Sequence, residues 1–393
     1  MTMILNDVMP KILASSLATL RENAVMAKLV NQDYSVDFAQ KGATVSVPVP
    51  TKLYTQDVIP GPTSQNSADF QLDTVNVPLS YWKESAFALS DRELSTIMDG
   101  VPNMQITEAA KAIANAIDSS IISMYTRAYN YAGVAGTTPF ATAPKEALDA
   151  RKILNSRLAP MTDRRLVMNT DTESAALGLP AFQYYLNSGD RLTQSEGELG
   201  RKFGMDWYMD QNLGQHVAGT IAGTLVTAGA PVSLVTADNS DPINRNPRTT
   251  QSITISGVNA GTSVVVGDVF TVAGDSQTYV VNTPAVASGG VVTIGFNPAP
   301  LVSWATASAV TFKAARGLNL CFHRDAIALA MRPLETSTLA PSLGDASMTM
   351  TDEISGVPLR LQIRNEYNRV RFSVSALWGV ALVRPEHLVV IAS

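Results

Sequence analysis

Residues 252–267 have the sequence SITISGVNAGTSVVVG, which is more informative about the architecture than any other part of the chain. They belong to a nearly uncharged run, residues 216–313, built from Val, Thr, Gly, Ser and Ala. Within it, short alternating segments are separated by glycine turns, which is typical of a small all-β barrel or sandwich. The chain on both sides is mixed helix and strand. The run is therefore predicted to be a β domain, residues 216–314, inserted into another domain.

The composition favours a subunit that is partly covered by copies of itself. At 393 residues the chain is long enough for two or three domains with their own cores. Charged residues make up 16% of it, below the usual quarter, while hydrophobic residues make up 46%. Its formal net charge of −5 argues against a nucleic-acid-binding surface, which requires a basic patch.

Cysteine content and hydropathy exclude a disulfide framework and a membrane span. The single cysteine, Cys321, excludes an intramolecular disulfide framework and a cysteine-rich zinc site. Residues 1–20 have apolar residues at helical spacing and lack the pattern of a signal peptide. No uncharged apolar segment reaches the roughly 18 to 20 residues that span a bilayer. We therefore expect a soluble protein made in a cytoplasm.

The first hundred residues combine helical and extended patterns. Helices are predicted near residues 5–20 and 24–30, where apolar positions recur at helical spacing. Two alternating segments, 44–49 and 75–82, each contain a proline, so both are predicted to be edge strands of an extended hairpin. After them, Ser90 and a glutamate three residues later form a capping box that should open a short helix.

A long amphipathic helix is predicted over residues 104–129. Isoleucines and small residues define one face, and the opposite face should carry the polar residues Glu108, Lys111, Asn115 and Asp118. A helix of this length spans roughly 40 Å, more than a typical globular helix. It could act as a spine across the molecule.

The remaining sequence predicts further helices and strands on both sides of the β run. Before the run, we expect a helix over 145–158, a strand over 165–168, a helix opened by a capping box of Thr170 and Glu173, and a strand over 204–210. After it, strand character resumes over 317–323, continues through 324–330, and returns over 359–363 and 370–377.

One thiol and one imidazole could form a catalytic pair. Cys321 and His323 lie two apart in a predicted strand, so both should point to one face, where a thiol beside an imidazole can act as a nucleophile. An isolated cysteine in a strand is more often a core residue. Asp206 and Asp210 could share a face as a carboxylate pair, although such pairs usually decorate the surface. We expect no catalytic residue among them.

The sequence also predicts no cofactor and no metal site. His216 and His387 stand apart, without the spacing of a histidine metal motif. The glycines of residues 133–137 lack the lysine of a phosphate-binding loop, so this segment is predicted to be a linker.

Several short motifs and their order resemble the coat proteins of tailed phages. Residues 378–386, WGVALVRPE, are similar to the closing strand of that family and its Arg-Pro-Glu turn. DAI at 325–327 followed by RPL at 332–334 resembles the strand after the inserted domain, and GMD at 204–206 resembles the Gly-Phe-Asp entry to the segment before it. The resemblance spans nearly the whole chain.

The resemblance implies an α+β class and the Hong Kong 97-type capsid fold of a podovirus-type coat protein with an inserted β domain. The implied regions follow one another along the chain: an N-terminal arm (1–37), an extended loop with its supporting strands (42–99), a peripheral domain with the spine helix (100–137), the first segment of the axial domain (138–215), the inserted all-β barrel-like domain (216–314) and the second segment of the axial domain (315–393).

The implied function is that of a major capsid protein, which forms pentamers and hexamers of an icosahedral head enclosing the DNA genome. Implied partners are copies of the chain, a scaffolding protein, the portal, and packaged DNA bound without sequence specificity, with no membrane partner. The protein would be assembled in the host cytoplasm and end in the virion. Candidate contacts between subunits are Asp238, Asp241, Arg245 and Arg248 in the polar loop 238–248 of the β run, together with Lys83 and Glu84.

Three alternatives stay open on the sequence alone. One is another virion subunit of a phage, from the tail tube or the head-completion machinery. A second is a surface adhesin with a β domain, which the missing secretion signal and the long helix argue against. The third is a cytoplasmic hydrolase that uses Cys321. The polar loop 238–248 could equally be a solvated turn.

Overall fold

The computed structural model describes residues 16, 24–33, 44–49, 60, 73–94, 101–183, 197, 199–229, 232–234, 250–300, 304–334, 346–351 and 356–393. The α-helices are α1 Met26–Leu29, α2 Asp91–Leu94, α3 Val101–Ile122, α4 Lys145–Ser156, α5 Thr170–Leu177 and α6 Pro180–Gln183. The first ten strands are β1 Thr44–Val49, β2 Asp73–Pro78, β3 Tyr81–Ser90, β4 Asn130–Ala132, β5 Arg164–Met168, β6 Arg201–Lys202, β7 Met205–Met209, β8 Gln215–His216, β9 Gly223–Thr227 and β10 Val232–Leu234. The others are β11 Thr250–Val258, β12 Ser263–Val264, β13 Val269–Val272, β14 Thr278–Thr283, β15 Ala285–Val286, β16 Val291–Asn297, β17 Val310–Phe312, β18 Arg316–His323, β19 Ile327–Arg332, β20 Ala346–Thr351, β21 Pro358–Glu366, β22 Arg369–Leu382 and β23 Leu388–Ala392.

A seven-stranded mixed sheet has β18 near its centre. Its order is β4-β23-β18-β5-β7-β6, with β8 also pairing with β18. All eight residues of β18 are buried, because alternate side chains enter two different cores. Leu320 and Phe322 belong to the core around α3, whereas Cys321 belongs to the core beneath α4. Burial on both faces explains the nearly continuous apolar sequence of this strand.

A second, antiparallel sheet supports the long helix α3. The five strands run β19-β22-β21-β20, with β3 on the other side of β22. Ile113, Ile117 and Ile121 of α3 are buried in the same core as alternate residues of β21 and β22. Trp378 is fully buried there, and its Nε1 donates to Ser120 Oγ at 2.9 Å. The predicted long helix is confirmed, but it ends at Ile122 and continues as a 3-10 helix, Ser123–Arg127.

The chain changes sheets after His323, which corrects one sequence prediction. Residues 324–330 were expected to continue the preceding strand. Instead, a 3-10 helix, Arg324–Ala326, turns the chain, and β19 joins the other sheet. The turn is held by His323 Nδ1, which accepts from the Asp325 backbone N–H at 3.2 Å. Strands within residues 315–393 are thus divided between two sheets, although the sequence grouped them in one domain.

The hairpin of β1 and β2 lies over part of the five-stranded sheet. Its register runs from Thr44 opposite Pro78 to Val49 opposite Asp73. Four valines of the hairpin are buried against small residues of β19 and β22, as the alternation predicted: Val45, Val47, Val75 and Val77 against Ala328, Ala330 and Ala381. The predicted strand 75–82 is broken after Pro78, where Ser80 N donates to Pro78 O at 3.0 Å.

The nearly uncharged run folds into a sheet of its own. Seven antiparallel strands have the order β10-β11-β16-β14-β13-β17, with β9 pairing with β11, and β12 pairs separately with β15. Its core contains a cluster of aromatic rings, in which Tyr279 and Trp304 are 4.9 Å apart edge to face. Gly223 and Gly257 lie at a bulge, and a Cβ on either would be 2.1 Å from backbone oxygen, so the crossing requires glycine.

Two predicted helix starts had different outcomes. The box at Ser90 is confirmed, since its backbone N–H donates to Glu93 Oε2 at 2.8 Å and the Glu93 N–H donates to Ser90 Oγ at 3.3 Å. The predicted capping box of Thr170 and Glu173 is wrong by one residue. Asn169 precedes the helix, and its Oδ1 accepts from the Thr172 N–H at 2.8 Å.

Asp118 of α3 is fully buried, although the sequence placed it on the polar face. Its Oδ2 accepts from the Val25 N–H at 3.0 Å, and the N–H groups of Met26 and Ala27 also donate to it. Asp118 therefore caps α1 and ties the segment 24–33 to the long helix. Burial, and then the charge of Asp210, raise the pKa of Asp118 to about 7. Among the described helices, none is long and apolar enough to cross a membrane.

Replacing Asp118 by Asn should remove a pH-dependent contribution to the stability. The folded chain holds a proton on Asp118 more tightly than the unfolded chain, so this contribution is full below pH 3.8 and is lost as the pH rises through about 7. The difference in unfolding free energy between Asp118→Asn and the wild type should change by on the order of 4 kcal/mol across that window. Urea unfolding at several pH values measures it, with Asp149→Asn, a change at a half-exposed carboxylate, as the control. A difference that does not vary with pH would contradict the assignment.

Candidate functional site

The thiol of Cys321 is sealed inside the protein. It is fully buried, and its Sγ lies 3.3 Å from the sulfur of Met205. Burial raises the pKa of Cys321 to about 12, which keeps the thiol protonated, whereas a nucleophilic cysteine requires a thiolate. His323 is occupied by the turn that follows it. The geometry therefore gives no support to the hydrolase alternative.

The other predicted chemical groups are dispersed. Asp206 lies 3.9 Å from Arg201 in a half-exposed ion pair, whereas Asp210 is buried and faces the charge of Asp118. His387 packs edge to face on His323, with ring centroids 6.1 Å apart, and burial lowers the pKa of His387 to about 4. No group of three or more metal-ligating side chains occurs in the residues that the structure describes.

A cavity of about 460 Å³ opens beside β5 and β7. Its lining combines backbone at Gly197 and Gly200 with the side chains of Trp207 and Met209. Glu173 also lines the cavity, and burial raises the pKa of this carboxyl. The sequence singled out Glu173 only as a member of a capping box.

His216, which the sequence left without a role, belongs to a buried network with Asp268. Its Nε2 lies 2.9 Å from Asp268 Oδ1, and both side chains are almost completely buried. The Tyr125 hydroxyl lies 3.1 Å from His216 Nδ1. When Nε2–H donates to Asp268, Nδ1 is left to accept from Tyr125, so both ring nitrogens have a hydrogen-bond partner. We call this site the junction, because β8 reaches the large β sheet here.

The turn before β13 gives Asp268 its position. Asp268 Oδ2 accepts from the N–H groups of Val265 at 2.9 Å and Gly219 at 3.1 Å. Gly267 has φ +93°, and a Cβ there would come within 3.2 Å of His216 and Thr126. The sequence feature behind the junction is thus a glycine followed by an acid within an otherwise apolar run.

Arg316, the first residue of β18, completes the junction. Its Nη2 donates to Gly267 O at 2.8 Å, and its guanidinium lies 5.4 Å from the centre of the Tyr131 ring. The side chain is 2% exposed, and this burial lowers the pKa of Arg316. Sequence reasoning missed Tyr125 and Arg316, because nothing local marks either as a contact of residues far along the chain.

An apolar seam next to the junction fixes the large β sheet to the rest of the subunit at a second place. Tyr129, Val269 and Val280 are buried together. Thr278 donates through Oγ1 to the carbonyl of Tyr129, and Arg157 donates to Gln277 Oε1 at 3.3 Å. The role of these contacts is therefore structural. The junction and the seam hold the β sheet of residues 223–312 at a defined orientation on the rest of the subunit.

The structure describes two of the six residues that were predicted to make contacts between subunits. Asp238, Asp241, Arg245 and Arg248 lie outside the described residues. Glu84 on β3 accepts from Arg371 Nη2 of the neighbouring strand at 2.6 Å, with both side chains partly exposed. Lys83, the adjacent residue, is exposed. Next to it, Trp82 has 66% of its surface accessible.

The replacement Asp268→Asn should loosen the junction. Asparagine lacks the charge that binds His216 and two backbone N–H groups, and the buried Arg316 loses a nearby anion, so we expect a loss of about 2–4 kcal/mol in unfolding free energy. Urea unfolding gives the value. The same change at Asp149, a half-exposed partner of Lys145, should cost less than about 0.5 kcal/mol. Equal losses for the two variants would show that the junction adds no stability.

Comparison of the fold with solved structures finds similar phage proteins. A chain from Mycobacterium phage Che8 superimposes with a TM-score of 0.50 at 14% sequence identity, covering 94% of this chain and 91% of that chain. A chain from the capsid structure of the Cyanophage P-SCSP1u superimposes with a TM-score of 0.51 at 10% identity, covering 94% of this chain and 88% of that chain. No protein-family model and no curated protein matches the sequence. The resemblance to phage coat proteins is therefore confirmed at the level of the fold, and the chain has the fold of a phage capsid protein.

Proposed function

We propose that the chain is the major capsid protein of a tailed bacteriophage, with the Hong Kong 97-type fold and an inserted β domain. The observation that carries the proposal is the likeness of nearly the whole chain to a capsid subunit, with no large segment left over for another activity. The function is structural, and copies of the chain enclose the DNA genome in the virion. A tail-tube or head-completion subunit would not require this complete set of elements.

The elements of the structure correspond to the roles expected in such a shell. Segment 24–33 would be the attached end of the N-terminal arm, and the hairpin of β1 and β2 would be the base of the extended loop. The helix α3 with β3 and β19–β22 would form the peripheral domain. The seven-stranded sheet around β18 would form the axial domain. This division moves residues 327–382 out of the axial domain that the sequence suggested.

The strands of residues 223–312 would form the inserted domain, held by the junction. A domain that bridges neighbouring rings must keep a fixed orientation, because a loosely tethered one would not present its contacts at a defined angle. The buried pair of His216 and Asp268 and the hydrogen bond of Arg316 to Gly267 O supply that constraint. The loop 238–248 would lie in this domain and pair with its equivalent in a neighbouring ring, where its charges of both signs suit a two-fold contact.

Assembly would proceed through many modest contacts between copies. Head-to-tail contacts close into pentamers and hexamers. The extended loop would lie over the adjacent subunit within a ring, and the arm would reach between rings. Because each subunit repeats every contact, weak individual terms add up to a stable shell. A scaffolding protein and the portal would participate during assembly in the host cytoplasm, and the net negative charge of the subunit suits a container that does not bind its DNA tightly.

Electron microscopy of the purified protein, expressed with the genes that flank it, tests the proposal directly. We expect closed shells of one defined diameter. Because every copy repeats the same contacts, the shells should also remain intact during size-exclusion chromatography. A monodisperse monomer, obtained both alone and with the flanking gene products, would contradict the proposed function.

Deleting residues 238–248 tests the contact between rings. The junction and the aromatic core lie outside this loop, so the subunit should still fold, but its shells should be unstable or malformed. Circular dichroism and microscopy report the two properties separately. A Gly-Ser segment of equal length serves as the control for loop length. Shells of normal shape and stability after the deletion would show that the loop is a solvated turn.

A further inference from the structure

The loop after α4 presents two large apolar side chains to solvent. Leu158 is 78% exposed and Met161 is 67% exposed. Leu158 has φ +58° and stands just beyond the helix, where its N–H donates to Asn155 O at 3.1 Å and the next N–H, of Ala159, donates to Leu154 O at 3.0 Å. This left-handed position after a helix is normally taken by glycine, because a Cβ is disfavoured there.

A buried arginine holds the loop in this conformation. Arg164 is 2% exposed. Its Nε donates to Pro160 O at 2.6 Å, its Nη2 to Ala159 O at 2.7 Å, and its Nη1 to Asn155 Oδ1 at 2.7 Å. A buried guanidinium must keep its hydrogen bonds, so any rearrangement of the loop would leave a desolvated charge without partners. The loop is therefore rigid.

The far end of the loop is fixed as well. Asp163 also has a positive φ, +51°, and its carbonyl accepts from the Arg324 N–H at 3.1 Å. Two residues other than glycine thus adopt left-handed backbone within a few positions. Strain of this kind persists where the surrounding structure imposes it, and it is common at functional sites.

In the isolated subunit, Leu158 departs from two local preferences of amino-acid type, one for the backbone conformation and one for the exposure of the side chain. Glycine would suit its backbone better, and a polar side chain would suit its exposure better. Residues that break local preferences without a gain inside their own fold are expected where function requires them. An exposed apolar side chain gains free energy once another surface covers it.

We propose that Leu158 and Met161 form a preformed apolar tip that docks on a second copy of the chain. The inference rests on the proposed function and adds to it the segment that makes one contact between subunits. The small size of the tip decides the kind of partner. Two exposed side chains cover far less than the ~800 Å² that each protein contributes to a standard stable interface. A contact so small suits an assembly in which every copy repeats it, rather than a single complex with a foreign protein.

The replacement Leu158→Gly separates assembly from folding. Glycine relieves the left-handed backbone, so the melting temperature of the subunit should stay the same or rise by roughly 1–2 °C. Shell yield, measured by sedimentation and microscopy, should fall at least five-fold. Met161→Ser should lower the yield with an unchanged melting temperature. Val134→Ser, which alters a residue that is 66% exposed in the segment 133–137, should leave the yield unchanged.

Thiol labelling reports the contact itself. The native Cys321 is fully buried, and burial raises its pKa to about 12, so a Met161→Cys variant carries one reactive thiol. A maleimide should label the thiol at position 161 rapidly in dissociated subunits and at least ten-fold more slowly in intact shells. The wild-type chain, with no reactive thiol, should remain unlabelled in both states.

The outcomes distinguish a failure of the docking inference from a failure of the proposed function. If the wild type forms no shells, the proposed function fails, and the docking inference fails with it. If the wild type forms shells and Leu158→Gly assembles with the same yield, or the thiol at position 161 reacts equally fast in shells, the inference alone is wrong. A loss of yield that is equally large for Val134→Ser would also overturn it, since the effect would not be specific to the tip.

Discussion

Burial of β18 on both faces is the constraint on which the rest of the subunit depends. Leu320 and Phe322 enter the core shared with the long helix, whereas Cys321 enters the core beneath α4. At the start of the strand, Arg316 binds the turn that carries Asp268. At its end, His323 holds the turn that sends the chain into the five-stranded sheet. One strand therefore sets the relative positions of both cores and of the β sheet between residues 223 and 312.

Much of the fold could be predicted from the sequence where the deciding interactions are local. The valines of the hairpin and the capping box at Ser90 signal their structures within a few residues. The burial of Asp118 could not be predicted, because its partner Val25 lies 93 positions away. The pairing of His216 with Asp268 spans 52 positions. The turn after β18 is local, since His323 accepts from the Asp325 N–H. The sheet that β19 then joins is set by its long-range pairing with β22, which no local pattern marks.

The candidate sites show the same limit. The resemblance to phage coat proteins pointed to the polar loop 238–248 and to Lys83 and Glu84 as contacts between subunits. The charges that organise the described structure are buried. Asp118 secures the segment before β1, Arg164 secures the loop after α4, and Asp268 secures the large β sheet. In a chain with 16% charged residues, these few ionic groups connect segments that hydrophobic packing alone would leave less precisely placed.

The sealed position of Cys321 has a chemical consequence for a shell built from this chain. It is the single cysteine, and its sulfur has no access to solvent, so in a shell built from this chain disulfides would not join neighbouring copies. Sulfur chemistry therefore cannot trap a misplaced subunit. In such a shell a misplaced subunit would remain free to dissociate, and the finished container would not change its cross-linking with the redox potential of its surroundings.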